Sequence, residues 1–219
     1  MATVRKWSGV AVAMQSALAT AVTITSITKA SPGVVSYTDA GSSDPANGSY
    51  VVLTVQGMHQ LNNRVVRVAN MSAGSNTFEL EGVDTSAFDT FSSGSFQVIT
   101  FGTSITTAAN ISASGGDFDF IDTTTIHDNT KTQIPGTANP LAYTMDHNWD
   151  AADAGQAAMK TASDAQAQRA FKFTFGTGGP IMVFSGYVGF AGAPTGNAQD
   201  KVTSPAVITA FGTPTYYAS

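Results

Sequence analysis

The chain of 219 residues contains no cysteine at all. Disulfide bonds, zinc–thiolate sites and cysteine nucleophiles are therefore excluded, since each of them requires at least one thiol. The absence does not identify a cellular compartment, because thiol-free proteins occur in reducing and oxidising environments alike.

Charged residues are scarce, at 11% of the chain against roughly 25% in ordinary soluble domains. The net charge is −5, and no basic patch is visible along the sequence. A protein that holds nucleic acid by releasing counterions needs such a patch, so that class is excluded. Serine, threonine, alanine and glycine replace the charged residues. A surface with so few charges is typical of a subunit that is largely covered in an assembly.

Long apolar runs are also missing, and none approaches the 18 or so residues that span a membrane. Arg5 and Lys6 precede a mostly apolar stretch at 10–23, a pattern that has the outline of a secretory signal. Gln15 and Ser16 interrupt the stretch, which favours a folded segment instead. We expect no membrane anchor.

Short apolar runs separated by glycine, asparagine and serine dominate what is present. Residues 51–55, 65–68, 76–81 and 96–101 each read as a strand, at a spacing of about ten residues. Overall hydrophobic content is 42%, which is enough for a core. The pattern predicts a small antiparallel β-module over residues 24–101.

The β pattern continues beyond Gly102, with strands predicted at 117–120, 142–149, 170–175, 181–190 and 202–211. A single helix is predicted over about 150–168. Asp150 is its expected N-cap and a stripe of alanines its buried face. Strands, one helix and further strands predict a β-rich α+β fold.

Side chains that could carry chemistry are few. His127 and His147 adjoin aspartates, but neighbouring strand residues point to opposite faces and form no dyad. The segment that contains Asp117, Asp119 and Asp122 lacks the glycine that a calcium-binding loop requires. No nucleophile elbow, zinc-protease helix or phosphate-binding loop occurs. We predict no catalytic, cofactor or metal site and no enzyme activity, although paired aspartates leave a glycoside hydrolase as an alternative.

A series of motifs in the second half of the chain resembles the major tail tube proteins of long-tailed, non-contractile bacteriophages. The motifs are D-x-T-T at 122–125, K-x-x-I-P-G at 131–136, an Asp/Ala-rich helix start at 150–156, F-x-G-Y-V at 184–188 and D-K-V-T at 200–203. Their order and spacing together carry the resemblance, which covers roughly 102–219 and the opening segment 3–19.

The resemblance implies a structural subunit of a phage tail tube. Such proteins have a β-sandwich or barrel with one flanking helix, and form hexameric rings that stack into a DNA conduit. On this interpretation residues 1–23 and 102–219 form the tube domain, and 24–101 is an inserted barrel on the exterior. Six copies at −5 would give −30 per ring, which repels DNA in transit instead of binding it.

The resemblance also implies partners and a location. The subunit would assemble with itself, contact tape-measure and tail-end proteins, and reside in the virion tail after assembly in the host bacterial cytoplasm. The polar loop 123–139 is expected to reach a neighbouring ring. The residues expected to make inter-subunit contacts are His127, Asp128, Lys131, Gln133 and Ile134. Asp117 and Asp119 are candidates for acidic residues that face the lumen.

Two other interpretations remain open. A non-assembling binding or adhesion module would suit the threonine-rich strands and an exposed pair, Tyr216 and Tyr217. A ring-stacking tube protein of bacterial secretion machines would share the fold, although the extra module at 24–101 favours a phage.

Overall fold

A computed structural model describes residues 7–38, 41 and 44–218. The first six residues of the predicted N-terminal segment 1–23 lie outside this part of the chain. Within the described residues the chain forms sixteen strands and one α-helix, α1, at Ala154–Asp164. The prediction of a β-rich fold with a single flanking helix is confirmed.

The strands follow one another along the chain with short turns between most of them. They are β1 Val10–Met14, β2 Ala17–Leu18, β3 Val22–Ile27, β4 Val34–Tyr37, β5 Tyr50–Gln56, β6 Val65–Ser72, β7 Thr77–Leu80, β8 Ser93–Thr100, β9 Thr103–Ile105, β10 Ala108–Ser114, β11 Phe118–Asp122, β12 Gln133–Ala138, β13 Ala142–Asn148, β14 Arg169–Phe175, β15 Ile181–Phe190 and β16 Thr203–Tyr217.

Six strands close into a small barrel, in the order β8-β3-β4-β7-β6-β5, because β5 pairs back onto β8. Strand β2 extends this sheet along β8. The barrel has its own core, in which Phe78 and Phe96 meet edge to face at 5.1 Å and Tyr37 packs on both. Closure leaves no free strand edge around the six-stranded ring.

A second sheet curls without closing, in the order β10-β13-β16-β15-β14-β1-β9. Alternation along β14 turns Phe171 and Phe173 to the concave face, where both rings stack with Phe184 of β15. Helix α1 covers part of this face. Among the described residues, β9 and β10 are the two ends of the sheet and each has a partner on one side only.

The chain passes between the two sheets twice. It leaves the curled sheet after β1, completes the barrel from β2 to β8, and returns with β9. Strand β3 begins at Val22, so it runs across the predicted start of the module at residue 24. The division of the chain at residues 23 and 101 stays a prediction.

Buried contacts hold the barrel against the curled sheet. Tyr217, at the end of β16, is buried, and its hydroxyl accepts a hydrogen bond from the backbone N–H of Arg67 at 2.6 Å. Burial raises the pKa of Tyr217 to about 12, which keeps the hydroxyl neutral. Arg67 lies over the Tyr217 ring at 4.4 Å, and Arg64 Nε donates to Thr215 Oγ1 at 3.0 Å. The expectation that both C-terminal tyrosines are exposed is therefore wrong for Tyr217.

The helix starts later than the sequence suggested. Its N-cap is Asp153, whose carboxylate accepts a hydrogen bond from the N–H of Gln156 at 2.8 Å. The carboxylate of Asp150 instead accepts from the N–H of Ala152 and closes a turn that precedes the helix. The buried face is Gly155, Gln156, Met159 and Ala162, so the predicted alanine stripe contributes Ala162 to it, with Ala158 partly buried against the same core. Gln156 is buried because its amide donates to Thr107 and to a backbone carbonyl.

Gly155 lets the helix approach the sheet. A Cβ there would lie 2.7 Å from the carbonyl oxygen of Ser104 and 3.3 Å from the Cα of Ile105 in β9. Both are backbone atoms and cannot move aside cheaply.

Within the described residues no helix is long and apolar enough to span a membrane.

We predict that Gly155→Ala destabilises the protein by about 1–3 kcal/mol, because overpacking outweighs the gain in helix propensity. Gly74→Ala is the matched control, since a Cβ at Gly74 meets nothing within 4 Å. The control should be neutral or stabilising by up to about 1 kcal/mol. Urea unfolding of both variants measures this, and a stabilised Gly155→Ala would contradict the close contact.

Candidate assembly surface

A two-stranded ribbon stands apart from both large sheets. Within the described residues, strands β11 and β12 pair only with each other, with Ile121 opposite Ile134 and a register shift between Phe118 and Phe120. We call residues 118–138 the arm. Part of the predicted loop 123–139 is a strand, β12, so the prediction of a loop is wrong for Gln133–Ala138.

The arm exposes large apolar side chains on both of its faces. Ile121 and Ile134 are paired and share one face, whereas Phe120 points to the other. Phe120 is 63% exposed, and Ile126 at the tip is 96% exposed. Such side chains are normally buried, and an isolated two-stranded hairpin is at best marginally stable in water. Exposed apolar side chains and marginal stability on its own are typical of a ribbon that is covered by another protein surface.

Hydroxyl and carboxylate groups order the tip of the arm. The Asp128 carboxylate accepts from the N–H and the hydroxyl of Thr125, at 2.8 and 2.9 Å, and these bonds lower the pKa of Asp128. Thr123 and Thr132 are joined by a backbone bond of 2.9 Å. The D-x-T-T motif thus builds a turn, which presents its apolar residue, Ile126, outward.

The base of the arm is set by glycine and asparagine. Gly115 and Gly116 have φ of +81° and +85°, which only glycine adopts without strain. Asn139 bonds back across the base, to the carbonyl oxygen of Asp117 at 2.8 Å and to the Asp119 carboxylate at 3.1 Å. The arm accordingly leaves the curled sheet at a defined point.

All seven residues singled out from the sequence lie on the arm or at its base. His127, Asp128 and Lys131 are exposed in the connecting segment, and Gln133 and Ile134 are exposed on β12. Asp117 and Asp119 are exposed at the base and on β11. The structure brings these residues together, and their roles in contact or in a lumen stay predictions.

The aspartates of the arm lack the features of a hydrolase pair. A glycosidase general acid needs a raised pKa, whereas hydrogen bonds from the side chain and backbone of Thr124 lower the pKa of Asp122. The carboxylate of Asp119 accepts a hydrogen bond from the side-chain amide of Asn139. Across residues 7–38, 41 and 44–218, no group of three or more His, Asp or Glu side chains is placed to hold a metal ion.

The open ends of the curled sheet flank a cleft of about 450 Å³, which we call the edge cleft. Strands β1 and β9 form one wall and β10 the other. Its lining is largely aliphatic, with Trp7 at the rim packed on Phe175 at 5.6 Å, and the described residues that line it carry no charged side chain. The sequence reasoning missed this cleft, because its walls are short strands far apart in the chain.

Within the described residues, strand β10 is an open edge that carries no charged residue and no proline. Natural edge strands carry lysine, proline or inward charges that block further pairing. Residues Ala108–Ser114, with the sequence AANISAS, contain none of these and are mostly exposed. Apart from one irregularity near Ala109, the strand is free to accept another strand. In the sequence, the feature that could have indicated this open edge is a run of seven residues without charge.

The three histidines have separate environments. His59 and His127 are exposed, whereas His147 of β13 is fully buried against Phe190. Its Nδ1 lies 3.1 Å from Thr107 Oγ1, and Nε2 has no hydrogen-bond partner among the described residues. Burial lowers the pKa of His147 below its ordinary 6.5, although the carboxylates of Asp153 and Asp146 oppose the shift.

We predict that His147 makes the fold sensitive to acid. Above pH 6.5 both states hold the neutral ring, so nothing is lost. As the pH falls below that value the unfolded chain takes up a proton that the folded protein accepts only at lower pH, and stability decreases. The free energy of unfolding in urea, measured at neutral pH and at the pH where stability begins to fall, gives the size of this loss. His147→Gln should reduce the pH dependence, and the exposed control His127→Gln should retain it; equal profiles for all three proteins would refute the assignment.

Comparison with known proteins gives one family. The profile of a family described as phage tail tube protein, TTP, matches residues 56–219, a range that includes part of the barrel, the arm and most of the curled sheet. No curated protein sequence matches the chain.

Proposed function

The chain belongs to the phage tail tube protein family, and we propose that it self-assembles into stacked hexameric rings that form the DNA conduit of a siphovirus-type tail. The family is structural, and membership implies a place in the virion tail. The observation that carries the proposal is the arm, whose apolar side chains are exposed and not covered by the described part of their own chain.

Self-association explains the arm economically. Five large apolar side chains, about half exposed or more, sit on a ribbon that stands clear of both sheets. These side chains are Phe118, Phe120, Ile121, Ile126 and Ile134. Burying them against copies of the same chain would remove apolar area from water and stabilise an assembly.

The open sheet supports a ring. A head-to-tail contact that closes generates a ring, and a second contact that does not close generates a stack. The chain offers unpaired strand edges at β9, at β10 and on the arm within the described residues. Pairing between copies would satisfy these edges, as the closed barrel satisfies its own.

The barrel is assigned to the tube exterior. We retain the division into an N-terminal segment 1–23, an inserted module 24–101 and a core 102–219 as part of the proposal. The closed barrel has its own core and needs no copy of itself to complete a sheet. A barrel on the outside of the tube would not narrow the DNA conduit.

DNA is proposed to pass without specific binding. The net charge of −5 per copy disfavours phosphate contacts, and we propose Asp117 and Asp119 as acidic groups that face the lumen. Tape-measure and tail-end proteins are the further partners that membership in this family suggests.

A non-assembling binding module is the second candidate. Tyr216 is 66% exposed and could contact a ligand, but the burial of Tyr217 at the junction removes the paired aromatic surface. A monodisperse monomer that binds glycans would favour this function.

We predict that deletion of residues 127–134 leaves a folded monomer that cannot polymerise. The deletion removes the end of the arm and the start of β12, while both cores are remote from it. Circular dichroism and size exclusion check the fold, and negative-stain microscopy checks assembly. Gly74→Ala serves as an assembly-competent control, and tubes of normal width from the deletion variant would refute the role of the arm.

The proposed lumen makes a separate prediction. Asp117→Lys with Asp119→Lys should give tubes that retain duplex DNA in a salt-dependent way, because phosphate contacts release counterions. Co-sedimentation of assembled tubes with DNA measures retention. Tubes of the double variant that release DNA as readily as the wild type would place these residues outside the lumen.

A further inference from the structure

We propose that the edge cleft of one copy receives the Phe118–Phe120 face of the arm from another copy. This inference rests on the proposed function and names the surface on which the arm is seated. Nothing in the family match specifies that surface.

The arm supplies a matching apolar face. Phe118 pairs with Ala138 and Phe120 with Pro135, so the extra residue of the register shift lies in β12; β11 keeps its alternation, and the two phenylalanines share a face. Both rings are more than half exposed. They are the largest exposed side chains of the arm, so they gain most from an enclosed site.

The edge cleft supplies a receptor of suitable chemistry. Its volume of about 450 Å³ is in the range of sites that enclose small organic groups, and Val10, Val12, Ile105 and Ile111 line it. Because the described residues of the lining carry no charge, the cleft favours the two aromatic rings over Asp119, which lies on the opposite face of β11. Trp7, which is 54% exposed at the rim, would be covered by the same event.

Backbone groups reinforce the match. The wall formed by β10 is an unprotected strand edge, and the arm is a ribbon whose two outer edges are unpaired within the described part of the chain. An arm strand laid along β10 can add main-chain hydrogen bonds to the apolar contact, as in strand addition.

The occupant is a second copy because of the way the two features are distributed. Each chain carries one arm and one edge cleft, so the contact joins two different surfaces and repeats from copy to copy unless two copies exchange arms in a closed dimer. A contact of this kind closes a ring or extends a stack, which is what a tube subunit requires. A foreign partner would leave the arms themselves uncovered.

The absence of cysteine makes a direct crosslinking test possible, because every disulfide formed is an engineered one. Ala138→Cys marks the arm face and leaves both rings in place. Ala109→Cys and Ala11→Cys mark the two walls of the cleft, and the exposed Ala73→Cys on the barrel is the control. Single-cysteine proteins are mixed in pairs, assembled, oxidised and run on a non-reducing gel.

The expected result is a heterodimer band for Ala138→Cys with either cleft variant and none with Ala73→Cys, since Cα atoms more than about 7 Å apart cannot be bridged. Assembled tubes without that band would overturn the seating of the arm and leave the proposed function standing. Failure of the cysteine-free parent to form rings or tubes would overturn the proposed function. A disulfide within a monomer carrying Ala2→Cys and Ala109→Cys would assign the cleft to the chain's own N-terminus and likewise overturn the inference.

Discussion

Backbone hydrogen bonding at strand edges is the constraint on which this structure depends. The barrel satisfies its edges internally, because β5 returns to β8. The curled sheet does not, and among the described residues the outer sides of β9, of β10 and of both strands of the arm have no partner strand. Exposed edges of this kind normally lead to aggregation unless they are blocked or used. Strand β10 contains no lysine or proline, so neither of these residue types blocks pairing of its outer side with another strand.

A second constraint fixes the barrel relative to the curled sheet. Tyr217 and Thr215, at the end of the longest strand, bond to Arg67 and Arg64 of the barrel. The apolar side chains of Val65, Ala170 and Val183 pack beneath them. The barrel is therefore docked by buried contacts and not merely tethered, and assembly of the curled sheet would carry the barrel to a defined position.

Much of the fold could be predicted from periodicity, as with the alternating apolar residues of β5, β14 and β15. The N-cap could not, because Asp150 and Asp153 are equivalent in propensity and only tertiary contacts of Gln156 select the second. Motif order placed the seven site residues in one region. Their common ribbon was missed, since β12 contains proline and glycine and lacks the alternation of a strand. The edge cleft depends on β1, β9 and β10 meeting across long sequence separations, which no local pattern records.

A cryo-EM map of the assembled protein tests the central claim most directly. The account predicts a tube in which the free side of β10 and the apolar faces of the arm are covered by neighbouring copies, with the barrel outside. A tube in which the arm and the β10 edge face solvent would contradict it.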